Sequence, residues 1–282
     1  MIKYFKKSIA WAFAVTTGIF TFVPETFFEK FIHISQSFLN KFDSLEKLDA
    51  RDINIIISRV LCFLIVWLAV SVIYMTFKGR RITIKGRNYS IRVEYGNILK
   101  KEDCMKVINF DECYTTKVGY DISDVKPSSI CGQYLSAHPN IDMEKLIKDA
   151  NVTPARAKSK YKQKVCYALG TIVPNGDDLL MAFAKLDEKG RGHLSYDEYL
   201  KCLNMLWSEL ENHYSEKDIC VPILGSGRTV FNDGSGTPIS KQELLNVMIW
   251  SYNLTPHKIK LPHKLRIICK CSDDFSIHNI NK

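Results

Sequence analysis

The chain has 282 residues, of which 46% are apolar and 24% charged. That balance excludes bulk disorder, and nine Cys are far too few for a disulfide scaffold. Lys and Arg outnumber Asp and Glu by 39 to 30, giving +9, which suits an anionic partner (nucleic acid, membrane or phosphate ligand) without choosing among them.

A mean hydropathy near zero hides a strong segregation. Residues 9–23 (IAWAFAVTTGIFTFV) and 60–77 (VLCFLIVWLAVSVIYMTF) carry no charge. A spanning helix needs about 20 mostly apolar residues. The second run, extended upstream by 53–57, meets this; the first is short and must borrow from its edges. The sequence predicts spans over about 8–24 and 54–77, joined by an amphipathic linker over 25–52 that carries Phe27, Phe28, Phe31, Phe38 and Phe42. Together these make a transmembrane hairpin of residues 1–80. Lys3, Lys6 and Lys7 precede the first run, and Lys78, Arg80, Arg81, Lys85 and Arg87 follow the second. Positive flanks put both ends on the cytoplasmic side, with the C-terminal part cytoplasmic. Arg59 lies toward the outer end, where it can snorkel. Two other readings stay open: a cleaved signal peptide for the first run, and buried core helices for both.

Residues 81–282 read as one soluble α/β domain. Residues 81–95 alternate around a Gly-Arg-Asn turn, which predicts a hairpin. Residues 104–110 are a short apolar run. Residues 165–173 and 179–186 read as strands joined by Pro-Asn-Gly-Asp. Ser195 with Glu198, and Ser240 with Glu243, are capping boxes that open helices over 195–213 and from 240. Residues 219–224 and 265–271 complete the strands. The alternation implies a mixed sheet flanked by helices.

The strongest ligand signal is the strand 219–224 ending in Gly225-Ser226-Gly227-Arg228-Thr229. Glycines let backbone N–H groups approach an anion, and ligands sit at the carboxyl ends of strands in open α/β sheets. Arg228 adds a charge-assisted phosphate contact. Taken alone, Gly-Ser-Gly is also a plain turn.

Two further runs, Glu94-Tyr95-Gly96-Asn97-Ile98-Leu99 and Lys106 to Glu112, resemble the macro domain. That family has Gly-Asp-Ile-Thr and Val-Asn-Ala-Ala-Asn at the corresponding strand ends. The resemblance puts Asn97 at the adenine-binding Asp, Ile98 at a phosphate-binding backbone N–H, and Asp111 near the ribose-binding Asn. Leu224 to Thr229 match the second phosphate loop. The family's glycine-rich loop is replaced here by 114–118 and 127–132, where Ser129 and Ile130 join the implied ligand contacts. Residues 230–239 lengthen the step to the next helix.

With the two apolar runs, the whole chain resembles the membrane-linked macro-domain effectors of Thoeris antiphage defence (the ThsA family, transmembrane-macro type). The resemblance implies a receptor without catalytic residues, metal or cofactor. Its ligand would be an ADP-ribose-derived messenger, a histidine conjugate, made by a partner TIR-domain enzyme. Binding would drive self-association and disruption of the inner membrane, an abortive-infection outcome, with the lipid bilayer as partner and no nucleic acid. A membrane-anchored ADP-ribosyl hydrolase and a receptor for a cyclic ADP-ribose remain alternatives.

Several features look like chemistry and read better as structure. The run 187–198 has Asp, Gly and Glu where a calcium loop wants them, but Lys189 and Arg191 occupy ligand positions. Cys269 and Cys271 lack partners at zinc spacing and read as buried thiols on one strand face. Asp177-Asp178 reads as a turn pair. Cys113 reads as packing rather than a nucleophile, because no general base can be named. Arg156 to Lys164, basic at every second position, reads as a solvated loop or edge strand, with an anion contact as the rival.

Overall fold

A computed structural model describes residues 2–28, 34–35, 49–78, 80–231, 239–272 and 275–280. The chain divides into two units, 1–80 and 81–282.

The first unit is built on α1 (Ile2–Phe22), α2 (Glu25–Phe28) and α3 (Ala50–Lys78). α1 stops two residues before Pro24, whose ring disfavours helical backbone in the residue ahead of it. Ser8, Ala12 and Thr16, four apart and buried, lie on one face of α1. Small residues at this spacing let two helices approach closely. Ser71 of α3 donates to Ser8 Oγ at 3.2 Å. Phe13 meets Phe63 edge-on at 6.3 Å. The Arg59 guanidinium stacks on Phe20 and Phe28 at 5.7 and 5.8 Å. The Asn54 amide bonds both backbone groups of Ile34, at 2.9 and 3.1 Å. Trp11, Ile65 and Leu68 project outward with more than half of their surface exposed.

By length and composition, one described helix can cross a membrane, over Ala50–Ile73. The apolar part of α1, Ser8–Phe22, is shorter than a span. The helix expected as the second span is therefore long and apolar enough to cross a membrane, and the first is only a short apolar helix. The expected linker helix lies mostly outside the described residues.

The second unit contains β1 (Arg81–Lys85), β2 (Ser90–Tyr95), a 3-10 turn (Ile98–Lys100), β3 (Cys104–Asp111), α4 (Ile130–Ala137) and α5 (Met143–Asp149). It continues with β4 (Ile172–Asn175), β5 (Asp178–Leu186), β6 (Gly192–Leu194), α6 (Tyr196–His213), β7 (Asp218–Pro222), β8 (Val230–Phe231), α7 (Lys241–Leu254) and β9 (Leu265–Cys269). The strand order is β1-β2-β9-β7-β3-β5-β6-β8, with β4 pairing β5. β2, β9, β7, β3 and β5 are mutually parallel, whereas β1, β4 and β6 run antiparallel to their partners. Five carboxyl ends therefore share one rim.

Alternation sends Ile91, Val93, Val107, Met181 and Val221 to one face, where α6 and α7 cover them with Leu203, Leu206, Trp207, Leu245 and Met248. Ile108, Phe110, Leu180 and Ala182 point to the other face, under Cys131, Tyr134 and Leu135 of α4. Both expected capping boxes form, at Ser195 and Ser240. Trp207 donates to Ser251 Oγ at 3.1 Å, which joins α6 to α7 in the core.

The structure corrects the strand expected over 165–173. Only 172–175 is strand; Val165 is exposed, and Gly170 adopts φ +93° where a Cβ would strike the Cys202 carbonyl at 2.7 Å. The chain there turns beneath α6 instead of running flat. The last strand ends at Cys269, so Cys271 is exposed off the strand and only Cys269 is a buried thiol. The basic stretch 156–164 is a loop, not an edge strand. Of the extended loop 230–239, residues 230–231 form β8 and 232–238 lie outside the described residues.

Candidate functional site

The registers fix where the strand tips stand. Glu94 pairs with Ile268, and Ile268 with Pro222. Lys106 pairs with Cys220, so Ile108 continues that row. Just past these rows come Asn97, in the turn after β2, and Gly225, in the turn after β7, while Asp111 ends β3 at a register shift. The three carboxyl ends thus open on one rim. β2 and β7 are separated only by β9, which sets them about 10 Å apart, two strand spacings. A diphosphate nucleotide can bridge that span.

At the β2 tip, Gly96 donates to Cys269 O at 2.9 Å, closing the strand. Asn97 caps the 3-10 turn: its Oδ1 accepts from Leu99 N–H at 3.0 Å. Its amide NH2 has no acceptor among the described residues. Ile98 is buried against Cys104, Cys220 and Ile268, with Ile130 packed on the same cluster. Ile98 and Ile130 meet as packing partners, so what they offer a ligand is backbone.

At the β7 tip, Ser226 donates both N–H (3.3 Å) and Oγ (2.7 Å) to Ile223 O, which tightens the turn. Leu224 is buried, and its carbonyl accepts from Tyr199 OH at 3.2 Å. Gly225 adopts φ +81°, a backbone that a side chain resists. Gly227 has nothing within 4 Å of where a Cβ would be, so the chain is open there to an approaching group. The N–H groups of Gly225 and Gly227 have no acceptor among the described residues. Arg228 is exposed and Thr229 half-buried beside them.

At the β3 tip, Asp111 Oδ1 accepts from Cys113 N–H at 2.8 Å and Thr115 N–H at 3.2 Å. Burial raises its carboxyl above the ordinary range, and the bonds from Thr115 and Cys113 oppose that shift. Ser129 is the N-cap of α4: it accepts from Gly132 N–H at 3.0 Å and donates to Lys126 O at 2.7 Å. Its hydroxyl is engaged in capping α4, next to Ile130, which packs on the Ile98 cluster.

The neighbours of these residues were not visible as site residues in the sequence. Glu112 is buried, and its Oε1 accepts from Ser159 Oγ at 2.5 Å and Leu186 N–H at 3.0 Å. Phe231 packs on Gly225 and meets Tyr199 edge-on at 5.5 Å. The only sequence signal for these was their closeness to strand ends. Burial pushes the Cys113 thiol up to about 12, against a pull from the Ser159 hydroxyl. A thiol held that high is a poor nucleophile near neutral pH. Asp187 Oδ1 accepts from Lys189 and Arg191 N–H groups at 2.9 and 2.8 Å, so the calcium-like run is a local turn. Asp177 pairs with Lys217 at 2.7 Å, and Asp178 with Lys106 at 3.2 Å. No cluster of metal-ligating side chains occurs among the described residues. An open depression of about 530 Å³, lined by His138, Asp142, Lys145 and Asn175 among others, lies elsewhere. Asn175 adjoins the start of β5, so this depression sits at the opposite rim.

A mixed sheet of this order between two helical layers, with an Asn, a glycine turn and an Asp at carboxyl ends on one rim, defines a macro-type α/β domain. The family described as Thoeris protein ThsA, macro domain, matches residues 91–270, and the chain belongs to that family. It is similar to Thoeris protein ThsA of Bacillus amyloliquefaciens (strain Y2), at 27% identity over 249 residues, covering 85% of this chain and 82% of that protein. Among solved structures it is similar to the Oceanobacillus iheyensis macrodomain with ADP, at TM-score 0.42 and 11% identity over 69% of this chain and 90% of that one. A mutant of the same macrodomain with ADPR gives TM-score 0.42 and 10% identity over 69% and 92%.

Proposed function

We propose that this chain is a membrane-anchored receptor of Thoeris defence, whose macro domain binds an ADP-ribose-derived messenger at the rim formed by the tips of β2, β7 and β3. The observation that carries this is the shared rim: Asn97 and Gly225 follow the carboxyl ends of the parallel strands β2 and β7, and Asp111 ends β3. Glycine amides just past β7, with no acceptor among the described residues, suit a diphosphate, and the Asn97 amide offers a donor to an adenine edge. The messenger is a histidine conjugate of ADP-ribose made by a partner TIR protein.

The reading is of a binder rather than a catalyst. Asp111 is committed to its own turn, and Cys113 is held as a thiol. Occupancy shifts the equilibrium toward an oligomer that holds the ligand better, and tethering to a bilayer raises the local concentration for that step. The oligomer then perturbs the inner membrane. Anchoring is supported by α3 and by its outward apolar side chains, which in water would form an apolar surface that no described residue covers. The orientation follows from the cationic flanks, with the macro domain cytoplasmic.

The test is calorimetry of the full chain in nanodiscs with ADP-ribose, its histidine conjugate and cyclic isomers. Binding of the linear conjugate, followed by ligand-dependent growth in particle mass, is expected. Failure to bind any adenine nucleotide would refute the receptor reading. Release of ADP-ribose from a modified protein would establish the hydrolase instead.

A further inference from the structure

Loop 155–166 carries five cations in nine residues: Arg156, Lys158, Lys160, Lys162 and Lys164, all exposed. None of them forms an ion pair among the described residues. Exposed lysines on a floppy loop would simply be solvated, but this loop is held at several points. Ala155 N–H donates to Cys166 O at 2.8 Å, and Ser159 N–H to Lys164 O at 3.0 Å. Cys166 Sγ donates to Ala157 O at 3.0 Å. The Ser159 hydroxyl, itself buried, bonds Glu112, and Tyr167 N–H donates to Glu112 O at 2.8 Å. At the loop's tip, Lys162 and Gln163 both adopt left-handed backbone, φ +51° and +54°, which costs a side-chain-bearing residue about 1 kcal/mol each. The Tyr161 ring lies under Lys162 and Lys164 at 5.1 and 5.3 Å.

The fold thus confines five like charges in a strained turn that forms no ion pair among the described residues. The turn is pinned to Glu112, the residue next to Asp111 at the β3 tip. Lys164 is near enough to favour the charged form of Asp111. Confined repulsion of this kind is relieved when an anion arrives.

We propose that loop 155–166 is a cationic arm of the strand-tip site, and that it draws in and holds the phosphate-bearing part of the ligand beside β3. The ligand class is a nucleotide with at least two phosphate charges. This rests on the nucleotide reading above and adds a residue set to it. An anionic lipid surface is the other partner that five cations could serve, but the anchoring to Glu112 places them at the strand tips.

The experiment compares the full-length wild type with K158Q/K160Q/K162Q/K164Q in nanodiscs of phosphatidylcholine alone, with ADP-ribose as probe over a salt series. The variant is expected to melt like wild type, to bind about tenfold more weakly at low salt, and to show a shallower fall of affinity with salt. Wild-type affinity and slope in the variant would overturn the arm and leave the nucleotide reading standing. No ADP-ribose binding by wild type would sink both. A difference seen only in discs containing phosphatidylglycerol would assign the cations to lipid and overturn the proposal.

Discussion

A Cβ placed on Gly225 would lie 2.7 Å from Cζ of the Phe231 ring. The turn that offers its amides to a ligand is therefore pressed against the first strand beyond it. Phe231 is backed in turn by Tyr199, whose hydroxyl holds Leu224 O. Gly225→Ala combines the left-handed backbone cost, about 1–2 kcal/mol, with this clash. We expect it to lower the thermal midpoint and abolish ADP-ribose binding. A Cβ at Gly227 meets no described residue within 4 Å. Gly227→Val should leave the midpoint unchanged and still weaken ADP-ribose binding, because its side chain occupies the ligand's approach. Calorimetry and thermal melts on both variants check this; a Gly227→Val protein that binds normally would show that the ligand does not approach this turn.

Much of this architecture was legible because local chemistry and burial agree. Ser195 and Ser240 open helices by capping boxes, and the alternation of 81–95 needs only one buried face to become β1 and β2. The glycine turn could be read because a run of buried β-formers cannot continue through Gly-Ser-Gly. What failed was long-range. Residues 165–173 look like a strand, yet Ala155 and Tyr167 are tied to Cys166 and Glu112 from other segments, and no periodicity reports such pairings. α4 and α5 were missed because they are short and carry single polar caps, Ser129 and Asp142, without a long apolar stripe behind them. The role of Glu112 was invisible for the same reason: its partners, Ser159 and Leu186, are 47 and 74 residues away.

Glu94 of β2 is 7% exposed and bonds Arg266 of β9 at 2.6 Å and Lys101 at 2.9 Å. Burial alone would raise its carboxyl, but the bonds from Lys101 and Arg266 outweigh it and hold the pKa below the ordinary 4.5. A depressed carboxyl stabilises the fold above its unfolded value, and that stability is lost as pH falls through the folded value. Wild type should therefore lose stability as pH drops below about 4.5, and Glu94→Gln should flatten that limb. Glu94→Ala, which strands two cations, should cost about 3 kcal/mol at pH 7. Denaturant melts across a pH series read both effects; an unchanged acid limb in Glu94→Gln would contradict them.

Cys113 and Cys271 should differ sharply in reactivity. Cys113 is half-buried, with its thiol pushed up to about 12 by burial. Alkylation requires thiolate, so at pH 7.5 iodoacetamide should leave Cys113 unmodified while it labels the exposed Cys271. Mass mapping of the modified peptides decides the matter. Fast labelling of Cys113 would reopen a nucleophilic role at the β3 tip.

The membrane reading makes a prediction that the macro domain alone does not. Leu64 sits well inside the apolar stretch Ala50–Ile73 and exposes nearly half of its surface. If α3 crosses a bilayer, Leu64→Arg places a charge near mid-membrane, which costs about 2.5–3.5 kcal/mol of insertion free energy. Leu68→Arg, further toward the cationic flank at Lys78, should cost less because the side chain can snorkel. In a water-exposed helix neither change would matter much, since both positions already face outward. Carbonate extraction of cell membranes separates the cases. Wild type should stay in the pellet, Leu64→Arg should shift substantially to the soluble fraction, and Leu68→Arg should fall between them. If all three extract alike, α3 does not hold this chain in a bilayer. The apolar surface of the first unit must then be covered by protein.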